Sequence, residues 1–162
     1  MYRSILAAVA VATSLAFSGA ALAQGGPPAY GMPISAEQAK KVAAAAIAEA
    51  SKNNWGLCIA IVAPSGDLVY FEKMDNCQYA SIAISQHKAR AAATFRRPTK
   101  VFQDAVQKSP SNLNLLTLDG IIASDGGYPI VVGGKIVGAI GTSGATGAQD
   151  GQAAQAGIAA LN

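Results

Sequence analysis

Histidine, cysteine, aromatic side chains and charge are all scarce in this 162-residue chain, and each scarcity removes a class of function. One histidine excludes a multi-histidine metal centre. Two cysteines cannot build a four-thiolate zinc site or a disulfide-knotted miniprotein. Charged residues make up 13% and leave a net charge of +3, too little and too scattered for a protein that lives on phosphate backbones. No GK[ST] follows a glycine run, no HExxH occurs, no GxSxG precedes a helix, and no acidic cluster suits a hard cation. What is abundant is apolar surface, 51% of residues, together with 17 glycines, which excludes a disordered chain.

The first 23 residues, MYRSILAAVAVATSLAFSGAALA, have the three parts of a secretory signal. Arg3 is the basic start, Ile5 to Phe17 the apolar middle, and Ala21-Leu22-Ala23 the small-x-small cleavage site. The run is interrupted by Thr13, Ser14 and Ser18 and lacks a basic stop signal, which argues against a membrane anchor. The expected mature chain starts at Gln24 and is periplasmic or secreted, with neither a nucleic-acid nor a membrane partner after cleavage. Residues 24–32 read as a Gly/Pro leader without regular structure, and 33–162 as one domain.

Within that domain, Ser35 and Gln38 have capping-box spacing, and Ala39, Val42, Ala43, Ala46, Ile47 and Ala50 recur on one helical face up to about Lys52. LCIAIVA and LVYFEKM flank Pro64-Ser65-Gly66-Asp67 as an antiparallel hairpin. Tyr79 to Phe95 predicts a helix broken by Arg96-Arg97-Pro98-Thr99, followed by a short helix over about 99–108. Leu115 to Ile122 reads as a strand. Tyr128–Val132 and Lys135–Gly141 form a hairpin on Gly133-Gly134, and a last helix starts near Gln149-Asp150. The order helix, hairpin, helix, three strands, helix predicts an α+β fold: an antiparallel sheet of about five strands covered by helices.

Few residues can carry chemistry. GAIGTSGATG, from Gly138 to Gly147, follows the last strand and so is misplaced for a dinucleotide fingerprint. It suits a close-packed strand end, or a wall where backbone meets a flat ligand. Cys58 should face Lys73 across the hairpin, so Cys77 must fold back to reach it. A disulfide and a pair of free thiols both remain open. His87 shares a helical face with Ile84, Ala91 and Phe95, a pattern commoner for a core histidine than for a ligand. With Lys88, Arg90 and Arg96 nearby, it could also serve a haem, iron on the imidazole and propionates on the bases. Otherwise the bases form a solvated helix face. Asp67, Asp119 and Asp125 look like turn residues.

From Met32 to the C-terminus the chain resembles the HbpS/GlcG-like family, also described as haem-binding or haem-degrading proteins. ISAEQAKKVAAAAIAEA resembles its first helix. LCIAIVAPSGDLVYFEKMD resembles its V-D-x-x-G-x-L…R-M-D hairpin, with Ala63-Pro64 replacing Val-Asp. ASIAISQHKARAAATFRRPT resembles its A…S…I-A…K-A…T-A…F-x-R-P-T helix. GGYPIVVGGKIVGAIGTSGATGAQDGQAAQAGIAAL resembles its closing G-G-x-P-I…G-x-x-V-G-A-I-G-V-S-G…D…A-x-A-G run. Four pieces in order over most of the mature chain make the resemblance specific.

The resemblance implies one α+β domain that assembles with copies of itself into dimers or larger rings and binds a small molecule, haem being the best-described ligand. Members also partner glycolate-utilisation enzymes, and others are fused to corrinoid adenosyltransferases. No catalytic triad transfers with the family. His87 stands where many members carry an acidic, amide or basic residue, and Cys77 where M-D-G-A is commoner.

The expected function is therefore an exported haem- or tetrapyrrole-binding protein: a carrier, a scavenger or a haem-degrading protein. Its pocket would lie between the second helix and the glycine-rich closing strands. His87 would be the iron ligand, and Lys88, Arg90 and Arg96 propionate partners. Thr94, Arg97, Pro98 and Thr99 would shape the helix end, and Gly126, Gly127 and Gly144 would let backbone approach the ligand. The alternative is an enzyme or accessory subunit acting on a small organic acid held by the same Arg and Lys side chains. A third reading is an oligomeric partner without a ligand.

Overall fold

The computed structural model describes residues 26–161, so the signal segment 1–23 lies outside the described residues. In chain order the elements are β1 (Ala29–Tyr30), α1 (Ala36–Lys52), β2 (Cys58–Val62), β3 (Leu68–Lys73), α2 (Ala80–Phe95), α3 (Lys100–Lys108), a 3-10 helix (Pro110–Thr117), β4 (Gly127–Val132), β5 (Lys135–Ser143) and α4 (Gly147–Ala159). This is the expected α+β class. β5 is the centre of the sheet. It pairs antiparallel with β4 along one edge, and on the other with β2, which carries β3 outside it.

Side-chain alternation divides the sheet into two unlike faces. Ile59, Ile61, Ile130 and Ile140 point to one side, where α1 and α4 cover them with Val42, Ala46 and Ala153. Each such isoleucine, fully buried, contributes about 1.5–3 kcal/mol. Ala60, Val62 and Ala139 point to the other side, against Ala89, Ala92 and Ala93 of α2. This second layer is built from very small side chains, so α2 lies unusually close to the sheet. A Cβ at Gly141 would collide with the Ser85 carbonyl oxygen, and one at Gly127 with the Lys88 carbonyl oxygen.

Local chemistry explains the element ends. The Ser35–Gln38 capping box forms as expected, with the Gln38 N–H donating to Ser35 Oγ at 3.2 Å and the Ser35 N–H to Gln38 Oε1 at 3.0 Å. Helix α2 stops at Arg96, which is left-handed with φ 55°, two residues before Pro98. A second capping box, Thr146 with Gln149, starts α4 at Gly147, slightly earlier than the sequence reading placed it.

Two expectations fail. Leu115–Ile122 is not a strand. Pro110 opens a 3-10 helix, the Ser109 hydroxyl accepts from Ser111 N–H, Asn112 donates to the Ala105 carbonyl at 2.8 Å, and Thr117 donates to the Asn114 carbonyl at 2.7 Å. Such local bonds give the backbone partners other than a sheet ladder. Conversely, the leader is not without structure: Ala29 and Tyr30 run parallel to Lys135 and Ile136. Tyr30 explains this order, because its hydroxyl donates to the carbonyls of Ala93 and Thr94, both at 3.1 Å. The sheet therefore has its five strands, but the leader supplies one of them.

Candidate functional site

The second helix turns one face to the sheet and leaves another free. Ile82, Ala83, Gln86, His87 and Arg90 recur at three and four along that outer face, and with Asp119 and Gly120 they line an open cleft of about 560 Å3. The volume lies within the range of ordinary small-molecule sites. Ile82 and Ala83 supply apolar wall, while His87, Gln86, Arg90 and Asp119 supply an imidazole, an amide, a guanidinium and a carboxylate. His87 is partly exposed here instead of packed in the core, and its imidazole makes no hydrogen bond among the described residues. Both ring nitrogens are thus left for a ligand.

Of the residues expected at the site, the cleft gathers only His87 and Arg90. Arg96 stands over the Tyr30 ring, 5.7 Å from its centroid. Arg97 is exposed and donates through Nε to the Phe95 carbonyl at 3.1 Å, and the Thr94 hydroxyl donates to the Arg90 carbonyl at 2.9 Å. These three belong to the C-terminal end of α2, beyond the cleft.

Lys88 is corrected more fundamentally. It does not lie on a solvated face: it is 1% exposed, and its Nζ donates to Asp150 Oδ2 at 2.8 Å and to the Thr142 carbonyl at 3.2 Å. A buried ammonium held in this way has nothing to offer a propionate. Burial pushes the Asp150 carboxyl upward, against the pull of the Lys88 ammonium and the Ala145 N–H.

The glycine-rich strands make no ligand wall. Gly126 faces the Thr142 carbonyl, Asp150 Cβ and Lys88 Nζ; Gly127 faces the Lys88 backbone and the Thr99 methyl; Gly144 faces the backbone of Gly56 and Leu57. They admit protein atoms at close range, so the expected pocket between α2 and these strands is filled. Thr99 is buried within the same joint, its Oγ1 accepting from the Gly127 N–H at 3.0 Å.

Sequence reasoning missed Asp119, which it gave to a turn, and with it Gly120, Ile82, Ala83 and Gln86. The helical members were visible as a stripe at 82, 83, 86, 87 and 90. Asp119 and Gly120 were hidden behind the strand expected there. Cys58 pairs with Lys73 across β2–β3, and Cys77 returns to form a disulfide with Cys58, the two Cα atoms 6.0 Å apart. Among the described residues no group of three or more His, Cys, Asp or Glu side chains could hold a free metal ion, and no helix is long and apolar enough to cross a membrane.

Comparison with known proteins agrees with this architecture. The chain is 41% identical to the protein GlcG of Escherichia coli (strain K12) over 110 residues, 68% of this chain and 81% of that one. A crystal structure of a double mutant of Streptomyces reticuli HbpS superposes with a TM-score of 0.74 at 28% identity, covering 97% of this chain and 99% of that one. The crystal structure of a PduOC:heme complex matches with a TM-score of 0.73 at 25% identity, over 81% of this chain and 96% of that one. The model of the family described as "Haem degrading protein HbpS-like" matches residues 34–159, nearly the whole described domain. By sequence and by fold, the chain belongs to the HbpS-like family.

Proposed function

We propose that this is an exported haem-binding protein whose ligand sits in the cleft on the outer face of α2. The observation that carries the proposal is the meeting, in one open cleft, of the chain's single imidazole with an arginine and an apolar wall. The donor set fits the group: the His87 ring for iron, the Arg90 guanidinium for a propionate, and Ile82 and Ala83 for the macrocycle edge. Family membership and the haem bound by a structural relative support the same ligand.

Bound haem would supply an iron centre able to carry redox chemistry. The part of this chain is to bind and orient. His87 offers a ring nitrogen from α2, Arg90 one turn further along fixes the acidic edge, and Asp119 in the same cleft repels an acidic edge brought near it. The tripartite leader of residues 1–23 supports export, and so does the Cys58–Cys77 disulfide, a bond that persists in oxidising compartments. The half-exposed leucines Leu113, Leu116 and Leu118 support assembly with further copies of the chain.

The test is a haemin titration of residues 24–162 followed in the Soret region, with sedimentation to give haem per chain. A sharp, saturable Soret shift is expected, and His87→Ala should abolish the histidine-ligated spectrum while far-UV circular dichroism stays unchanged. A weak, unsaturable change in the wild type would overturn the proposal. The site would then be screened with small carboxylates, for which Arg90 is equally suited.

A further inference from the structure

Arg90 is the cleft residue whose position depends on a distant element. Its Nε donates to the Gly66 carbonyl in the β2–β3 turn, a long bond of 3.4 Å, and its stem lies directly on that glycine. A Cβ at position 66 would stand 2.9 Å from Arg90 Cγ and 3.4 Å from Thr94 Cγ2. Gly66 also has φ +92°, a region that L side chains rarely adopt. The turn is itself fixed: Ala63 N–H donates to the Asp67 carbonyl at 2.8 Å, Gly66 N–H to the Ala63 carbonyl at 2.9 Å, and Ser65 Oγ to Asp67 Oδ2 at 2.7 Å. Asp67, the acid of that turn, is thereby engaged with Ser65.

Among the described residues no carboxylate reaches ion-pair distance of the Arg90 guanidinium, although Asp119 lines the same cleft. With Nε engaged by the turn, the two terminal nitrogens remain as a pre-set fork, the geometry that a carboxylate accepts in bidentate fashion.

We infer that the β2–β3 turn is part of the ligand site: Gly66 seats Arg90 so that its fork selects ligands bearing a free carboxylate. Arg90 touches the ligand, and Gly66 is a positioning residue acting through it. The inference rests on the proposed ligand cleft and adds to it the class of group recognised and the device that fixes the recogniser. Asp119, which lines the same cleft, disfavours an acidic group placed beside it.

The experiment compares haemin with haemin dimethyl ester, the same macrocycle with both carboxylates masked. The proteins are wild type, Gly66→Ala, Arg90→Ala and the Gly66→Ala/Arg90→Ala double variant, with folding checked by circular dichroism. The wild type should prefer the free acid by about tenfold or more, the worth of a charge-assisted hydrogen bond. Each single variant should lose most of that preference, and the double variant should lose no more than Arg90→Ala alone. A simple structural weakening by Gly66→Ala would instead lower both affinities alike and add to the effect of Arg90→Ala. Should Gly66→Ala fail to fold, Arg90→Lys replaces it: an ammonium keeps the charge but cannot hold the turn and a bidentate carboxylate together, so the preference should again fall.

Equal affinity of the wild type for acid and ester would overturn the inference while leaving the haem cleft standing. Absence of saturable haemin binding would overturn the haem reading, and succinate then becomes the probe. Succinate binding that both single variants abolish supports the inference, and no succinate binding overturns it.

Discussion

The ammonium of Lys88 and the carboxyl group of Asp150 lie 2.8 Å apart with almost no exposure, and they tie α2 to α4 across the end of β5. Removing one partner strands the other away from water, a loss of about 3–5 kcal/mol, whereas replacing both is much milder. Lys88→Met should therefore lower the unfolding free energy in urea by about that amount, and Lys88→Met/Asp150→Asn should recover part of it. Tyr128 makes a second prediction. Burial first, then its hydrogen bond to Asp125, raises its phenol to about 12. A phenol that ionises later in the folded state contributes stability in full below the ordinary value near 10, and loses it as pH rises through about 12. Ultraviolet titration should find Tyr128 ionising late, with stability falling over that alkaline interval, and Tyr128→Phe should remove its step. At this scale the sequence is least legible. Nothing in the spacing around Lys88 discloses a partner 62 residues later, and nothing around His87 distinguishes a cleft from a core. Helical period gives a direction around the axis and not what stands opposite.

At the scale of elements, the alanine and glycine layer beneath α2 dictates how near the helix can come. Gly141→Ala places a methyl group against the Ser85 carbonyl and the Ala89 backbone, neither of which is the flexible end of a side chain. The helix must move away as a unit, and the expected loss is roughly 3 kcal/mol in chemical denaturation. Because α2 carries both His87 and Arg90, ligand affinity should weaken along with stability. The elements were largely readable beforehand: a capping box for α1, a proline-marked turn for β2–β3, and paired glycines for β4–β5 each announce themselves within a few residues. The failures were of another kind. Leu116 and Leu118 look like sheet residues only if a core receives them, and none does, so local hydrogen bonds prevail. The order at Tyr30 depends on carbonyl groups at the far end of α2, which no local pattern contains.

For the whole molecule, the two faces of the sheet have different duties. The isoleucine face under α1 and α4 supplies most of the buried apolar mass, and the small-residue face under α2 supplies proximity. Expressed in full in a Gram-negative host, the protein recovered from the periplasm should have an intact mass lacking residues 1–23 and lower by two hydrogens for the Cys58–Cys77 bond. A retained leader would remove the export reading. The α+β class was legible because strands arrive in hairpins, and the family because its four segments keep their order. The cleft was not, since it joins α2 to Asp119 and Gly120, a loop whose course depends on the packing around it.

The division of α2 into two faces also separates two kinds of change. The inward positions are buried, and Ser85, Lys88 and Ala89 press on the glycines of β4 and β5, so variation there is punished before any ligand is met. The outward positions 82, 83, 86, 87 and 90 touch the cleft and little of the interior, so they can be rewritten while the scaffold stays the same. One helix thus behaves like a keyboard mounted on a rigid frame. A library confined to those five positions should yield folded proteins of unlike ligand preference, which makes this face the natural place to re-aim the domain.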